Sequence, residues 1–154
     1  MDLYLVQHGK AKPKEEDPDR SLSEEGRLEV ERMARYAAGI GLQPDLIYQS
    51  GKLRAQQTAV MLAQALNPPE GVKPLDGIAP NDDPEKALQS VDSTEHDSLM
   101  IVGHLPHLSR LASLLIAGNP AVEVIAFRNG GIVALRRDEE GWRLNWCLVP
   151  QVLS

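Results

Sequence analysis

The sequence has little of several features that mark particular protein classes. It contains a single cysteine, so no disulfide can form within the chain. No apolar run approaches the roughly 18 residues of a membrane span. Lysine and arginine total 16 against 22 acidic residues, and this acidic balance argues against a nucleic-acid-binding protein. No basic region followed by a long apolar stretch opens the chain, so we expect a cytoplasmic protein without a membrane segment.

The composition that remains is typical of one globular domain. With 154 residues, 42% hydrophobic and 25% charged, the chain can enclose a single core. It contains no internal repeat and no low-complexity tract. We predict one domain over residues 1–154 and expect it to be monomeric. Cys147 lies within an apolar run, which favours its interpretation as a small apolar residue of a strand.

Short apolar runs alternate with longer segments of helical periodicity. Three runs, at residues 3–6, 46–48 and 99–102, end in polar residues or glycine. Such runs are typical of strands that are buried on both faces of a parallel sheet. The first helical segment carries an apolar stripe between Val30 and Ala38. A capping-box pattern at its entry pairs Ser21 with Glu24, and glycine and proline from residue 39 onward predict its end.

The rest of the chain completes an α/β pattern. A second helix is predicted from about residue 51 to residue 66, and a third between His104 and Gly118. Near the C-terminal end, apolar runs at 132–135 and 142–149 flank a turn signal, which predicts an antiparallel hairpin. We therefore predict a three-layer α/β/α sandwich with a mostly parallel sheet and a C-terminal antiparallel hairpin.

Chemically distinctive residues follow the three predicted parallel strands. The first strand leads into His8, the second into Ser50 and Arg54, and the third into Gly103-His104. Ligands bind beyond the carboxyl ends of strands in open α/β sheets, so these residues would converge if the strands are neighbours. Arg54 would lie in the first turn of a helix, where free N–H groups attract anions. An imidazole can attack phosphorus while cationic donors stabilise the charged oxygens.

Two other interpretations of these histidines stay open from the residues alone. Each one could be an ordinary polar residue at the end of a strand. A zinc site is also conceivable, because His104 and His107 lie three residues apart, but neither an HExxH motif nor a cysteine cluster supports it. We expect His107 to be an exposed residue of a first helical turn, and Asn129 to serve turn formation.

These residues resemble the signature of the histidine phosphatase superfamily, and in particular its small phosphohistidine phosphatase branch. The family has Arg-His-Gly after the first strand, a Leu-Ser/Thr-x-x-Gly segment, a Ser-x-x-x-Arg-Ala-x-Gln-Thr block and a Gly-His pair followed by Leu-Pro. The matching segments here, in the same order, are Gln7-His8-Gly9, Leu22 to Gly26, Ser50 to Thr58 and Gly103 to Pro106. Each motif alone is a weak signal, but the occurrence of all four in the same order makes the resemblance specific.

The resemblance implies an enzyme with a phosphoglycerate-mutase-like fold in which His8 accepts the phosphoryl group. Arg54 and His104 would hold the phosphate as the other catalytic residues. No metal and no organic cofactor are implied. The remaining motif residues that we expect to contact the substrate are Gln7, Gly9, Ser50, Lys52 and Gly103.

The sequence departs from the family pattern immediately before the nucleophile. Gln7 occupies the position of an arginine that would give phosphate a charged, forked contact. One charged hydrogen bond contributes roughly 1.5–3 kcal/mol, so its loss could slow the reaction by roughly 10- to 150-fold. Lys10, Lys12 or Lys52 could restore positive charge, and Lys52 is the best placed of them.

A second departure concerns the proton donor. Many members of the family that this sequence resembles act on phosphate esters and carry a glutamate in the segment that corresponds to residues 75–80. Gly77 stands at that position here, and Asp76 or Asp82 could substitute. A missing acid favours cleavage of a P–N bond, because imidazole can leave already protonated, whereas an alkoxide needs a general acid. Residues 67–97, which are rich in proline and acids, leave little material for a lid.

Three functions follow as hypotheses. The first is removal of phosphate from a phosphohistidine on a protein, such as a phosphotransfer domain, through phospho-His8. The second is hydrolysis of small phosphate esters with Asp76 or Asp82 as the acid. The third is binding of phosphate or phosphohistidine with little or no turnover, which Gln7 alone supports. The fold itself does not choose among them.

Overall fold

The computed structural model describes residues 1–153 and contains six strands and four α-helices in that range. A single 3-10 turn, Pro150–Val152, follows the last strand. The elements in chain order are β1 (Asp2–Gln7), α1 (Glu24–Gly39), β2 (Leu46–Gln49), α2 (Leu53–Leu66), β3 (Val72–Pro74), α3 (Pro84–Ser93), β4 (Ser98–Gly103), α4 (His107–Ala117), β5 (Ile132–Asp138) and β6 (Gly141–Leu148).

All six strands form one mixed sheet in the order β3-β2-β4-β1-β5-β6. The first four strands along the chain are parallel, whereas β5 runs antiparallel to β1 and pairs with β6 in the predicted hairpin. Strands β1 and β4 are direct neighbours, with Gln7 opposite Gly103. This register places the residues after both strands, His8 and His104, at the same edge of the sheet, as predicted.

Helices cover both faces of the sheet and give it two apolar cores. Buried side chains of α1 and α2 pack on one face, and those of α3 and α4 pack on the other. Successive residues of β4 divide between the two cores, because side chains alternate along a strand. Leu99 and Ile101 face the α3/α4 core, and Met100 and Val102 face the α1/α2 core. The three-layer sandwich is therefore confirmed.

The predicted capping box at the start of α1 is wrong by two residues. Ser23 is the N-cap and accepts a hydrogen bond from the N–H of Gly26 at 3.0 Å, so the helix begins at Glu24. Ser21 instead donates to the carboxylate of Asp17. Two serines stand within three residues here, and the one whose backbone N–H also bonds to Lys10 O, at 2.9 Å, becomes the cap.

A glycine is required where α1 meets the loop after β1. A Cβ on Gly26 would overlap the Lys10 carbonyl oxygen and lie 2.8 Å from Lys10 N. These are backbone atoms that cannot rotate away. The glycine that closes the Leu-Ser-x-x-Gly segment thus lets the first turn of α1 lie directly against the chain that follows His8.

Two elements lie in the segment from residue 67 to residue 97, to which the sequence assigned none. Strand β3 has three residues, too few for a periodic signal. Helix α3 begins with the N-cap Asp83, which accepts from the N–H of Glu85 at 3.0 Å, and with Pro84 in its first turn. This Asp-Pro pair is the start signal that could have revealed the helix.

Cys147 lies on a strand as predicted, but it is exposed rather than packed as an apolar residue. Its strand, β6, is the edge of the sheet. Its neighbours Trp146 and Leu148 pack against the α1/α2 core, and alternation turns Cys147 to the opposite face. Within residues 1–153, no helix combines the length and the apolarity needed to cross a membrane.

Candidate active site

His8 follows β1 directly and is held by hydrogen bonds at both ring nitrogens. Its Nδ1 lies 2.7 Å from the carbonyl oxygen of Gly9, and Arg54 Nε lies 3.3 Å from its Nε2. A carbonyl can only accept and a guanidinium can only donate, so the contacts assign the tautomer. Nδ1 carries the proton and Nε2 presents its lone pair towards Arg54.

The surroundings of His8 favour its neutral form. Burial is the largest cause, and together with the positive charges of Arg54 and Arg20 it lowers the His8 pKa to about 4, although the Gly9 carbonyl opposes the shift. The ring is 9% exposed. At neutral pH the imidazole is therefore uncharged, with its proton on Nδ1 and a free electron pair on Nε2, which is the form that can attack phosphorus.

His104 lies beside His8, with ring centroids 5.0 Å apart. Its Nε2 is 2.6 Å from Ser50 Oγ, so this hydrogen bond joins the ends of β4 and β2. Burial lowers the pKa of His104 to about 3, and repulsion from His8, in the acid range where it is protonated, and from Arg54 and Lys52 adds to the shift. The structure thus brings four predicted site residues together, and Gly103 contributes its carbonyl oxygen, which accepts from His8 N at 3.1 Å.

Helix α2 connects the other motif segments to the site. Thr58 Oγ1 accepts a hydrogen bond from Gly9 N at 3.0 Å and donates one to the carbonyl of Arg54 at 2.8 Å. Gln57 Oε1 accepts from Leu22 N at 2.7 Å. The Gln-Thr pair that ends the Ser-x-x-x-Arg-Ala-x-Gln-Thr block therefore fixes both the loop that carries His8 and the segment that leads into α1.

The loop before β5 supports His8 from the other direction. Asn129 Nδ2 donates to the His8 carbonyl at 3.0 Å, and Gly130 N donates to the Gln7 carbonyl at 2.8 Å. Asn129 therefore positions the backbone of His8 as well as standing beside a turn. Sequence reasoning expected only the turn, because the partner lies 121 residues away along the chain.

Gln7 does not take the place of the expected arginine in the hydrogen-bond network. Its Oε1 is buried without a protein partner among residues 1–153. Lys10 cannot supply the charge either, since it pairs with Glu25 at 2.7 Å and Glu29 at 3.7 Å. Lys52 is exposed and lies at the N-cap of α2, where it lines a groove beside Arg54.

Arg20 is a cation near the site that sequence reasoning missed. Its charge lowers the pKa of both His8 and Arg54, and it lines the same groove as Arg54. The backbone of Arg20 has a φ of 52°, and its Nε donates to the carbonyl of Lys12 at 3.1 Å. The available signal was the Asp17-Pro18 turn, in which Asp17 accepts from Ser21 N at 3.1 Å.

The candidate acids do not reach the histidines. Asp82 Oδ2 accepts from Ala79 N at 2.9 Å and so caps its own loop, while Asp76 is exposed. In the part of the chain that the structure describes, neither carboxylate hydrogen-bonds to His8, His104 or Arg54. No contact with His8, His104 or Arg54 in the described residues therefore supports a role for Asp76 or Asp82 as the general acid.

The prediction that His107 is exposed is wrong. Its side chain is fully buried, and neither ring nitrogen has a hydrogen-bond partner in residues 1–153. The loop before α3 packs over the first turn of α4 and buries the ring. Burial lowers the pKa of His107, and the charge of Asp82 together with a weak contact to the Gly77 backbone, which falls short of hydrogen-bond geometry, opposes that shift. No cluster of three or more potential metal ligands occurs within residues 1–153.

Comparison with known proteins agrees with this geometry. The profile of the histidine phosphatase superfamily (branch 1) matches residues 3–78. The phosphohistidine phosphatase SixA of Escherichia coli is 26% identical over 155 residues, which cover 97% of this chain and 94% of that protein. A structure of the protein histidine phosphatase SixA complexed with tungstate has a TM-score of 0.84 and 26% identity, with 98% of each chain covered.

A crystal structure of an Agrobacterium tumefaciens protein that carries the name SixA is 33% identical, with a TM-score of 0.78 and 97% of each chain covered. The fold and the paired histidines beside an arginine define a class: the chain belongs to the histidine phosphatase superfamily. Within it, the chain falls in the small SixA-like branch. It is a phosphatase of the class that uses a histidine nucleophile.

Proposed function

We propose that this chain, as a single domain of residues 1–154, removes phosphate from a phosphohistidine carried on a protein such as a phosphotransfer domain. The observation that carries the proposal is His8 Nε2, whose lone pair faces Arg54 Nε at 3.3 Å, with no carboxylate bonded to either histidine in residues 1–153. The names of the SixA relatives support the same substrate class.

The first step forms a phospho-enzyme. His8 Nε2 attacks phosphorus in line, and the P–N bond to the substrate imidazole breaks as the new P–N bond forms. The departing imidazole, with a pKa near 6.5, leaves carrying a proton and needs no protein acid. Arg54, already placed at Nε2, then donates to the equatorial oxygens whose charge develops during transfer.

Water completes the reaction by attacking phospho-His8 and releasing inorganic phosphate, which returns the neutral imidazole. The Gly9 carbonyl keeps the Nδ1 proton in place throughout, because Nδ1 stays 2.7 Å from it. His104 borders the phosphate from the opposite side. Its bond to Ser50 Oγ at 2.6 Å holds the ring at the edge of the sheet.

Gln7 makes the enzyme slower rather than inactive in this proposal. The lost arginine contact corresponds to roughly 10- to 150-fold in rate, at about 1.4 kcal/mol per tenfold. Arg20 lies close enough to lower the pKa of both His8 and Arg54, so a second cation still stands beside the nucleophile. The site retains positive charge, which a phosphoryl transfer requires.

A single-turnover assay tests the proposal. The phosphotransfer domain is loaded with radiolabelled phosphohistidine and mixed with excess native protein, His8→Ala or Gln7→Arg. We expect the native chain to become transiently labelled with phosphate that is stable in alkali and labile in acid, as phosphohistidine is. His8→Ala should not become labelled. Gln7→Arg should release the phosphate faster than the native chain. Binding of the phosphorylated domain by the native chain without any release of phosphate would overturn the proposal and leave a binding protein.

The same assay separates ester hydrolysis from this reaction. Phosphoserine and p-nitrophenyl phosphate serve as small esters, and Asp76→Asn and Asp82→Asn serve as variants. We expect slow release from both esters and no change in phosphohistidine turnover with either variant. Ester turnover that exceeds phosphohistidine turnover and falls with one aspartate would assign that residue as the acid.

A further inference from the structure

A groove of about 410 Å³ opens on the α2 side of the site, next to Arg54. It is formed where the loop after β1 meets the start of α2. Its other lining residues are Lys14, Pro18, Asp19, Arg20, Lys52 and Leu53. Four cations and one carboxylate therefore line it, whereas the whole chain has a net charge of -6.

Ten of the protein's 16 lysines and arginines make no salt bridge in the described residues, and four of these ten line this one groove. Lys10, Arg136 and Arg143 each pair with a carboxylate. None of the four in the groove has an acidic partner within 4.0 Å in the part of the chain that the structure describes. Four unpaired cations with a single carboxylate among them concentrate positive potential beside the site of an otherwise acidic protein.

We propose that this groove docks an acidic surface of the phosphohistidine-bearing protein; the inference rests on the proposed function and names the chemistry of the partner. Arg54 and Arg20 are half-buried and extend inward towards His8. Lys14 and Lys52 are exposed, and the charge of Lys52 still lowers the pKa of His104. The two arginines meet the phosphate, and the exposed lysines, Lys14 above all, meet carboxylates that flank the phosphohistidine.

The arrangement separates protein substrates from small ones. A phosphohistidine on a protein surface can reach His8 Nε2 only if the residues around it lie against the rim of the site. Pro18 and Leu53 add apolar surface to the groove. A free phosphohistidine would reach the inner arginines and leave Lys14 uncontacted, so Lys14 distinguishes the two kinds of substrate.

The test uses three chemically phosphorylated probes: free phosphohistidine and two peptides of equal length, one flanked by glutamates and one by lysines. kcat/KM is measured for each at low and at high salt. We expect the glutamate-flanked peptide to be preferred at low salt by about tenfold or more, and the preference to shrink at about 1 M salt, where charges are screened beyond about 3 Å.

Two variants change the net charge of the groove in opposite directions. Lys14→Glu should lower kcat/KM for the glutamate-flanked peptide by about 3- to 10-fold, mainly through association. It should leave free phosphohistidine unaffected. Asp19→Lys should raise the same value. Arg35→Glu is the matched control, because Arg35 is exposed on α1 and lines a different surface region.

The outcomes keep this inference separate from the proposed function. Equal rates for both peptides at low salt, or a Lys14→Glu effect no larger than that of Arg35→Glu, would overturn the docking surface while phosphohistidine hydrolysis stands. Absence of phosphate release from all three probes would instead overturn the proposed function. A loss that is equal for the peptide and for free phosphohistidine would show that Lys14 acts on the phosphate and would also overturn the docking surface.

Discussion

The two sides of His8 are built differently. On the α2 side, Arg54, Gln57 and Thr58 each hydrogen-bond to another segment or to the nucleophile itself. On the α4 side, Gln7 Oε1 and both ring nitrogens of His107 are buried without a protein partner among residues 1–153. One side is a connected hydrogen-bond network, and the other is a packed surface that contains isolated polar atoms.

This difference predicts which substitutions the site should tolerate. A substitution on the α2 side removes a contact that positions something else, so its effects spread. The Gln7 side chain makes no hydrogen bond in the described part of the chain, so exchanging it disturbs no partner. Gln7, the residue that departs from the family pattern, therefore occupies a position on which the surrounding structure depends little. Replacing it with arginine should not damage the fold.

Gln7→Arg should give the largest effect. A charged, forked contact to phosphate should raise the single-turnover rate by roughly 10- to 150-fold, with little change in stability. Arg54→Gln should lower that rate by a similar factor, which makes the two substitutions a matched pair. Arg35→Gln controls for a change of net charge. If Gln7→Arg leaves the rate unchanged, the α4 side contributes nothing to phosphate binding.

Gly26→Ala tests how tightly the first turn of α1 packs against the loop that follows His8. The added methyl group would meet backbone atoms of Lys10, so the free energy of unfolding should fall by about 3 kcal/mol, as in overpacked sites. Gly39→Ala is the control: no atom lies within 4 Å of its new Cβ, and the change should stabilise the protein by about 0.4–1 kcal/mol. Urea unfolding measures both. A Gly26→Ala protein as stable as native would show that the loop can move away.

The residues that could be predicted from the sequence are those with local signals. Strand β4, helix α1 and the C-terminal hairpin each follow a periodic pattern that ends in glycine or a turn. The convergence of His8 and His104 followed from a general rule about strand ends, and the adjacency of β1 and β4 confirms it.

The features that could not be predicted depend on contacts between distant segments. Arg20 approaches the site because the Asp17 turn folds back, and turn geometry does not show which way a side chain points. His107 is buried because a loop from before α3 packs over α4, although the first turn of a helix is usually exposed. Asn129 has its partner 121 residues away. The composition of the sequence and the spacing of its motifs do not predict such long-range contacts.

Thr58→Val and His107→Leu compare the two sides directly. Valine keeps the shape of Thr58 but leaves the N–H of Gly9 without its partner, which should cost about 1–3 kcal/mol of stability. Leucine at 107 removes two nitrogens that make no full hydrogen bond and loses only a weak contact to the Gly77 backbone, so it should cost less than about 1 kcal/mol. Thr58→Ser keeps the hydroxyl and is the control for the first change. Equal losses from both substitutions would remove the distinction between the sides.

The stability of His107→Leu should also depend less on pH. Burial lowers the pKa of His107 in the folded protein, so below the ordinary value of about 6.5 the unfolded chain binds a proton that the folded chain does not. Native stability therefore falls as pH decreases from about 6.5. The leucine variant lacks this contribution, and urea titrations between pH 7 and pH 5 should show a shallower fall. An identical slope would mean that His107 is protonated in the folded protein.

The smallest expected effect concerns the nucleophile itself. In the native chain, the His8 ring should titrate with a midpoint near pH 4, because burial and the charges of Arg54 and Arg20 disfavour the imidazolium. Arg54→Ala should move the midpoint upward, since it removes a positive charge and admits water. Two-dimensional NMR of the histidine Cε1–Hε1 groups measures this, with His8→Ala assigning the signal and Arg35→Ala as control. A native midpoint near 6.5 would mean that the network on the α2 side does not keep the nucleophile neutral. An unchanged midpoint in Arg54→Ala would assign the low value to burial and Arg20, and the contribution of Arg54 would then begin only when phosphate binds.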